Sequence, residues 1–385
     1  MWKSMLGAAL VLVSGISCAF GQQPPLSPYA AGRDPRVMNS PATGDGVLGS
    51  TPSYLTQGPP GQPYPQGAGD PGPEAFGNNR LFGGDRVLHG WLSADYLMLF
   101  PNPVRSPSLL QDGAGNTLIG GSTALGISHG VRLDSGLWVC EQRIAMQGIS
   151  FFTFDAFAEA SFPTGTIPLT GPLPPTPATN FNFLAWHRVG GGEGNMLYRF
   201  GDGGDNGDRR LYGLIGTKFL LLEEDVRLRY TLGNAETGGD FLDEFHTRNQ
   251  FVGGQVGFIY SRQANRWSLD ITGKVAVGQN TAQLTILGSN SAGINFQAFT
   301  GRSNIGLFEV NYFCVVPEVD ANITYHVSER LSAHVGYNFL AMINTWRPGD
   351  QISLANDTGL SVPAATLLNS TYFLHGLNAG ITFRY

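Results

Sequence analysis

The stretch RWSLDITGKVAVG, residues 266–278, decides the fold because its apolar and polar side chains alternate along the chain. One parity carries the large apolar side chains Trp267, Leu269, Ile271, Val275 and Val277. The other parity carries Ser268, Asp270, Thr272 and Lys274. Successive residues of a β-strand point to opposite faces, so this segment is predicted to form a strand with one apolar and one polar face.

The same two-faced pattern recurs in WLSADYLMLF (91–100), VPEVDANITY (316–325), LSAHVGYNFLA (331–341) and GLNAGITFRY (376–385). Every charged side chain in these stretches lies on the polar parity. A charge costs little when it faces a polar lumen, and several kcal/mol when it faces lipid. The pattern therefore predicts membrane strands that point their apolar side chains outward and their polar side chains into a barrel.

Weaker stretches of the same kind at 127–139, 143–157, 193–201, 209–222 and 248–262 bring the number of predicted strands to ten. Short connections at 140–142, 201–208, 263–265 and 327–329 alternate with long ones at 101–126, 158–192, 223–247, 279–310 and 343–371. Short periplasmic turns, long outer loops and an even strand number are typical of outer-membrane barrels. We therefore predict an all-β fold over residues 86–385, a transmembrane antiparallel up-and-down β-barrel of about ten strands.

Two alternatives stay open at this point. Splitting LLLEEDVRLRY (220–230) and AVGQNTAQLTI (276–286) into separate hairpins would give twelve strands. We prefer ten, because these residues can extend the strands above the membrane. A secreted, soluble β-sandwich would also show alternating strands, but it does not explain why the charges keep to one parity.

The first residues predict export. Lys3 precedes a short apolar run at 5–15, and small residues before position 21 permit cleavage, so residues 1–21 are predicted to be a signal peptide. Residues 22–85 are rich in proline and lack the apolar content of a core. They are predicted to be a disordered periplasmic linker that acts as a tether or recognises an envelope partner.

The polar parity collects the side chains that we expect to line the lumen, namely Asp95, Arg132, Asp134, Lys218, Gln255, Asp270, Lys274, Glu318, Asp320, Asn322, His334, Asn338 and Arg384. They can line a narrow channel whose mixed charges give weak selectivity. They can also neutralise one another and fill the barrel, because barrels of ~8 strands are just wide enough for side chains. The chain is then either a narrow porin for small polar solutes or a non-conducting structural or adhesion barrel that acts through its outer loops.

Several stretches resemble a known family. They are GWLSADYLMLF (90–100), GLIGTKFLLLEED (213–225), GDFLDEFHTRNQFVGGQVGFIYSRQANRWSLDITGKVAVGQNTAQLTI (239–286), VVPEVDANITYHVSERLSAHVGYNFLAMINTWRPGDQI (315–352) and the terminal GLNAGITFRY. Together they resemble a β-barrel porin family of planctomycete-type bacteria over about residues 88–385, although residues 151–182 depart from its pattern. The resemblance implies a barrel in the outer membrane and implies no particular activity.

No motif predicts catalysis or a bound cofactor. The segment DEFHTRN (243–249) brings Asp243, Glu244 and His246 together, but a salt-bridge cluster with Arg248 explains it equally well. Histidine and cysteine lack metal-ligand spacing, so we expect no enzyme, no cofactor and no metal. The net charge of −6 argues against nucleic acid as a partner.

The predicted topology also separates the two cysteines outside the signal peptide. Cys140 falls in a periplasmic turn, and Cys314 lies near the outer end of a strand. A disulfide needs Cα atoms within ~7 Å of each other, so we expect two free thiols.

The terminal strand is expected to carry the insertion signal for the outer-membrane assembly machinery, formed by Phe373, Leu377, Ile381, Phe383 and Tyr385. The expected partners are that machinery and outer-membrane lipid. The protein is expected to be a monomer located in the cell outer membrane.

Deletion of Tyr385 is predicted to reduce membrane insertion and to leave protein in the periplasm, because the terminal aromatic side chain is part of the proposed signal. Cell fractionation, with gel electrophoresis of boiled and unboiled samples, measures the effect. Thr382→Ala, on the polar parity of the same strand, is the control. An unchanged outer-membrane yield after the deletion would contradict the assignment.

Overall fold

The computed structural model describes residues 89–139, 143–171, 174–203, 209–233, 239–291, 298–301, 303–355 and 365–385. The predicted signal peptide (1–21), the predicted linker (22–85) and Cys140 lie outside these residues. Within the described part of the chain there are thirteen β-strands and no α-helix, so the all-β prediction is confirmed. No helix among these residues is long and apolar enough to cross a membrane.

The strands are β1 (Gly90–Pro101), β2 (Val104–Gln111), β3 (Thr117–Thr123), β4 (Ser128–Val139), β5 (Ile144–Thr153), β6 (Ala156–Ile167), β7 (Thr176–Gly203), β8 (Arg209–Leu232), β9 (Gly239–Ala264), β10 (Trp267–Asn290), β11 (Gly306–His326), β12 (Leu331–Trp346) and β13 (Asn369–Arg384). Of these described strands, ten form a closed antiparallel ring in the order β1, β4, β5, β7, β8, β9, β10, β11, β12 and β13. The prediction of a ten-stranded up-and-down barrel is confirmed, and the twelve-strand alternative is wrong.

The ring closes where the last strand meets the first. Strand β13 pairs with β1 in a continuous register from Trp91 opposite Arg384 to Pro101 opposite Leu374. The Gly90 amide donates a 2.9 Å hydrogen bond to the Tyr385 carbonyl, and the Tyr385 amide donates a 3.0 Å bond to the Gly90 carbonyl. The backbone of the terminal tyrosine is therefore the lowest rung of the closing ladder.

An apolar band covers the outward face of the ring. On β10 the outward side chains from Trp267 to Val277 are apolar, and most of them are exposed. At ~3.3 Å per residue and a tilt of roughly 40°, this stretch rises ~25 Å, the height of a membrane-facing band. Aromatic pairs lie at its margins, Trp267 with Tyr325 below (ring centroids 4.9 Å apart) and Phe339 with Phe373 above (6.5 Å). Aromatic side chains of this kind favour the two membrane–water interfaces.

Above the band, the polarity of the two strand faces is reversed: the outward face becomes polar and the inward face becomes apolar. On β10, Gln279 and Gln283 point outward, whereas Leu284 and Ile286 point inward and are fully buried. The strand continues without interruption across this reversal. The barrel therefore has a lower part with a polar interior and an upper part with an apolar core.

The long loops predicted at 158–192, 223–247 and 279–310 are in large part strands. The β6–β7 hairpin and the upper halves of β8, β9, β10 and β11 occupy these positions. In these upper halves apolar and polar side chains still alternate, but the apolar ones point inward. A search for apolar side chains on the outward parity therefore does not detect these strands. The 101–126 connection contains the β2–β3 hairpin, and β5 and β6 together run along β7 with a break at 154–155.

The upper core is dominated by aromatic side chains. Its largest fully buried members are Phe181, Phe183, Tyr230, Phe241, Phe245, Phe299 and Trp346. Tyr230 stacks on Phe241 at 5.4 Å between ring centroids and meets the edge of Phe299 at 5.7 Å. Side chains from the β2–β3 hairpin and from the segment after β12 complete this core, so the outer connections fold onto the top of the barrel.

Candidate functional site

A cluster of buried charges occupies the lower interior, with Glu193 of β7 at its centre. Lys218 Nζ lies 2.5 Å from Glu193 Oε1, and Lys274 Nζ lies 3.0 Å from Glu193 Oε2. Lys274 also lies 2.8 Å from Glu318, and Lys218 contacts the same carboxylate. None of these four side chains is more than 12% exposed. Two lysines and two glutamates therefore form an alternating group with balanced charge.

A second group continues this network across the interior. Arg132 Nε donates to Asp95 at 2.7 Å, and its Nη1 donates to Asp320 at 3.3 Å and to Asn338 at 3.2 Å. His334 Nε2 lies 2.9 Å from the other oxygen of Asp95. The guanidinium therefore joins side chains from strands that are far apart in sequence.

Neutral polar groups hydrogen-bond to the Asp134 carboxylate and extend the network. Asp134 accepts a 3.0 Å bond from Trp91 Nε1 and a 2.9 Å bond from Gln147 Nε2. Asn322 accepts a 2.9 Å bond from Asn378. The interior is thus a connected polar network, and in such a network an unpaired charge would carry a large desolvation cost.

Three other predicted lumen residues complete this network. Gln255 donates to Glu193 at 3.0 Å, and Asp270 accepts bonds from Ser268 and Thr324 at the lower end of the barrel. Arg384 contacts His326 at 3.3 Å near the same end. All the predicted lumen residues are therefore inside the barrel, and their side chains are buried or partly buried.

Sequence reasoning missed Glu193, the centre of the cluster, together with Asn195 and Asn378. The signal was present, because Met196 and Tyr198 are exposed on the outward parity of β7, which places Glu193 and Asn195 inside. Those two residues lie within the predicted strand 193–201, and extending the parity rule through it would have found them.

Two glycines on the polar parity make room for the charges. A methyl group at Gly380 would overlap the Asp95 carboxylate, and one at Gly336 would overlap the Asn322 side chain. Glycine is therefore required there by the close approach of a polar side chain from a neighbouring strand.

The charge cluster borders a cavity of about 130 Å³ inside the barrel. Arg132, Asp134, Glu193, Lys274 and Glu318 contribute to its walls. A cavity of this size has room for several water molecules. The polar walls favour a hydrated cavity, and its size is suited to water or a small ion.

An apolar layer crosses the interior on the outer side of this cavity. It consists of Leu97, Leu99, Val189, Leu220, Leu222, Phe251, Ala276, Cys314, Val316, Leu340, Met342, Tyr372 and Leu374. These side chains come from β1 and from β7 to β13, and each is at most 9% exposed. Cys314, a free thiol, belongs to this layer. Buried apolar side chains from most of the ring thus meet where an open pore would have to pass.

Above the apolar layer, the end of β12 is held inside the barrel by buried polar side chains. Asn249 accepts a 2.9 Å bond from the Trp346 amide and donates a 2.8 Å bond to its carbonyl, and Asn280 donates a 3.0 Å bond to the Asn344 carbonyl. We call this group, with the Arg347–Glu224 pair, the inner clasp.

The ion pair of the inner clasp is completely buried. Arg347 Nη2 lies 2.6 Å from Glu224 Oε1, with side-chain exposures of 3% and 0%. The same guanidinium donates to the carbonyls of Asn102 and Pro103, which follow β1. Arg347 thereby connects two outer segments to the barrel wall. Arg347 lies in a predicted loop, 123 positions from Glu224, so no local sequence pattern could have predicted this ion pair.

The grouping considered for DEFHTRN does not form. Asp243 is fully buried in the upper core, where it accepts a 2.6 Å bond from Tyr230 and contacts the Thr300 hydroxyl. Glu244 and His246 lie on the opposite face, because neighbouring strand residues alternate; His246 lies 3.5 Å from Asp225. Arg248 pairs with Glu223 of β8 at 3.5 Å.

Burial changes the ionisation of the upper core. It raises the pKa of the Asp243 carboxyl to about 6. It also raises the pKa of the Tyr230 hydroxyl well above its usual value, and the neighbouring Asp243 acts in the same direction. Among the described residues, no group of three or more His, Cys, Asp or Glu side chains could hold a metal ion.

The fold and interior define a narrow β-barrel with an apolar outer band and a side-chain-filled lumen. Residues 203–385 match the model of a family described as putative beta barrel porin-7. No curated protein is recognisably similar in sequence to this chain.

Several solved outer-membrane structures are similar at low identity. The outer membrane protease OmpT from Escherichia coli is 10% identical with a TM-score of 0.44, covering 77% of this chain and 96% of that one. The Pseudomonas putida toluene transporter TodX is 8% identical with a TM-score of 0.25, covering 77% and 89%. A FadL homologue of Pseudomonas aeruginosa is 8% identical with a TM-score of 0.22, covering 77% and 90%. Similarities at these TM-scores carry no argument about function.

Glu193→Ala is predicted to lower the free energy of unfolding by about 3 kcal/mol, because it leaves two buried lysines with one shared carboxylate. Reversible urea unfolding of the protein in lipid vesicles measures the change. Glu159→Ala, at an exposed position of β6, is the matched control and should change stability by less than about 0.5 kcal/mol. Equal effects of the two variants would contradict a paired interior.

Asp243→Asn is predicted to change the pH dependence of stability. The folded-state pKa of about 6 lies above the ordinary value of 3.8, so the folded protein holds this proton more tightly than the unfolded chain. Wild-type stability should therefore fall by up to about 3 kcal/mol as the pH rises from 4 to 7, at ~1.4 kcal/mol per pKa unit. The variant lacks this loss. Unfolding free energies at several pH values test it, and a wild-type-to-variant difference that does not change with pH would refute it.

Proposed function

We propose that this chain is an outer-membrane β-barrel protein with a closed lumen, which anchors and presents its upper barrel at the cell surface instead of conducting solutes. The observation that carries the proposal is the apolar layer across the interior, because ions do not cross a packed apolar layer without losing their hydration. The inner clasp adds a second obstruction above it.

Three features support the outer-membrane location. The apolar band has the height of a membrane-facing surface, aromatic side chains lie at its margins, and the charge clusters around Glu193 and Arg132 are paired inside the ring. The family match over residues 203–385 agrees with a barrel of this class. The proposed partners are outer-membrane lipid and the barrel-assembly machinery, with no nucleic acid, no cofactor and no enzymatic activity.

The presented surface is the upper barrel with its connections. The β6–β7 hairpin includes the uncharged, Thr- and Pro-rich stretch TGTIPLTGPLPPTPATNFNF (164–183). The exposed residues of this hairpin, together with the exposed residues of the described segment 365–371, form the surface that we propose for adhesion or for a structural contact in the envelope. Such surfaces evolve on loops and strand ends that a rigid scaffold supports.

A narrow porin for small polar solutes is the second candidate. The charge-lined cavity favours it, since a hydrated space with mixed charges resembles one segment of a polar pathway. It requires the apolar layer and the inner clasp to rearrange, whereas the closed barrel requires no movement.

Planar-bilayer recording of the full chain separates the two functions. We expect no steady ion conductance from the wild type, after insertion is verified by the mobility shift on heating. The double variant Phe251→Ala/Met342→Ala thins the apolar layer and should raise the frequency of conducting events. Val252→Ala/Ile343→Ala, at neighbouring outward positions of β9 and β12, is the matched control and should remain silent. Regular conductance steps from the wild type would overturn the closed barrel and favour the porin.

A further inference from the structure

Two arginines lie directly opposite each other on neighbouring strands. Arg209 of β8 pairs with Arg262 of β9, and both side chains are exposed on the outward face. Directly opposed residues in an antiparallel pair have Cβ atoms ~5 Å apart, and like charges there are unfavourable. Among the described residues, neither guanidinium forms an ion pair that would relieve the repulsion. An external anion would relieve it.

The pair lies at the lower margin of the apolar band. The next outward positions on the same two strands are Leu211 and Tyr260, which oppose each other. Leu269 of β10 opposes Arg262 on its other side, and Trp267 is exposed just below Leu269. The two charges therefore sit where lipid headgroups meet the barrel wall, with apolar and aromatic side chains above and beside them.

We propose that Arg209 and Arg262 form a binding site for one anionic phospholipid of the periplasmic leaflet. The phosphate lies between the two guanidinium groups, and the acyl chains run along the apolar strip that begins at Leu211 and continues to Ile215. The inference rests on the proposed membrane location of the barrel and is independent of whether its lumen conducts.

The chemistry of the two side chains fits this ligand. Guanidinium groups present several N–H donors in a planar fork, which suits the oxygens of a phosphate. Arginine can also extend its charge toward the interface while its methylenes contact apolar surface. A net-negative headgroup is favoured over a zwitterionic one, because the choline ammonium of phosphatidylcholine would add a third positive charge.

The surrounding charge favours the same ligand. Arg143 and Arg330 lie at the same end of the barrel, in or next to the turns before β5 and β12, and their side chains are exposed; of the described residues in these turns, Glu329 is the one exposed carboxylate. Basic side chains near a membrane surface attract anionic lipid over about a Debye length. This field brings anionic lipid to the rim, and the Arg209–Arg262 pair provides a specific place to bind it.

Native mass spectrometry of the full chain, first refolded in vesicles and then transferred to detergent, tests the site with phosphatidylglycerol and phosphatidylcholine in competition. We expect the wild type to retain one phosphatidylglycerol at least tenfold more strongly than phosphatidylcholine. Arg209→Gln/Arg262→Gln should lose this preference. Arg143→Gln/Arg266→Gln, which removes two exposed charges from the same end, should keep it within about twofold.

Two further measurements identify the source of the bound anion and the role of the planar guanidinium group. Excess inorganic phosphate should not displace the lipid; displacement would overturn the lipid assignment in favour of a simple anion site. Arg209→Lys/Arg262→Lys keeps the charge but not the fork and should show an intermediate preference.

The inference is overturned if the Arg209→Gln/Arg262→Gln variant keeps the preference, or if the control variant loses as much of it. Failure of the wild type to insert into vesicles would instead refute the membrane location itself. These outcomes are distinguishable, because insertion is measured before lipid is added in competition.

Discussion

The pairing of the last strand with the first is the constraint on which the rest of the structure depends. A sheet whose outward face is apolar over a membrane's thickness cannot leave an edge of unpaired amides and carbonyls, and closure removes the edge. Closure with ten strands fixes a narrow interior. In that interior, side chains from opposite walls contact one another. The ion pairs around Glu193 and Arg132 follow from this geometry, because charges deprived of water must find partners in the opposite wall.

The same closed ring of strands forms both the lower and the upper part of the barrel, which differ in the polarity of their two faces. In the lower part, most outward side chains are apolar and most inward ones are polar. In the upper part, most outward side chains are polar and the inward ones pack as in a water-soluble protein. The buried charges of the lower part contribute little net stability, since pairing mainly offsets their desolvation. The apolar cores, by contrast, gain free energy in proportion to the surface that they bury. Stability is thus expected to be concentrated in the apolar layer and the upper core.

The ring strands could be predicted from the sequence because the lower part repeats one pattern, apolar outward and polar inward, as β10 shows between Trp267 and Val277. The upper halves could not, because the pattern reverses where the strand leaves the apolar band. Ion pairs such as Arg347 with Glu224 could not be predicted from the sequence either, because they depend on which strands face each other after the ring closes. Glu193 lies between these cases, because its parity was readable but it lies in a glycine-rich stretch without an apolar pattern of its own.

Strand β10 runs without interruption from the lower part, with its polar interior, into the upper part, with its apolar core. This continuity limits which sequence changes the strand can tolerate. A single inserted or deleted residue within the strand would rotate everything above it by one face, exposing Leu284 and Ile286 to water and burying Gln283 in the core. Length changes are therefore confined to the connections between strands, whereas within the strands variation must proceed by substitution. A family built on this plan should keep its strand lengths nearly constant while its outer connections diverge freely in size.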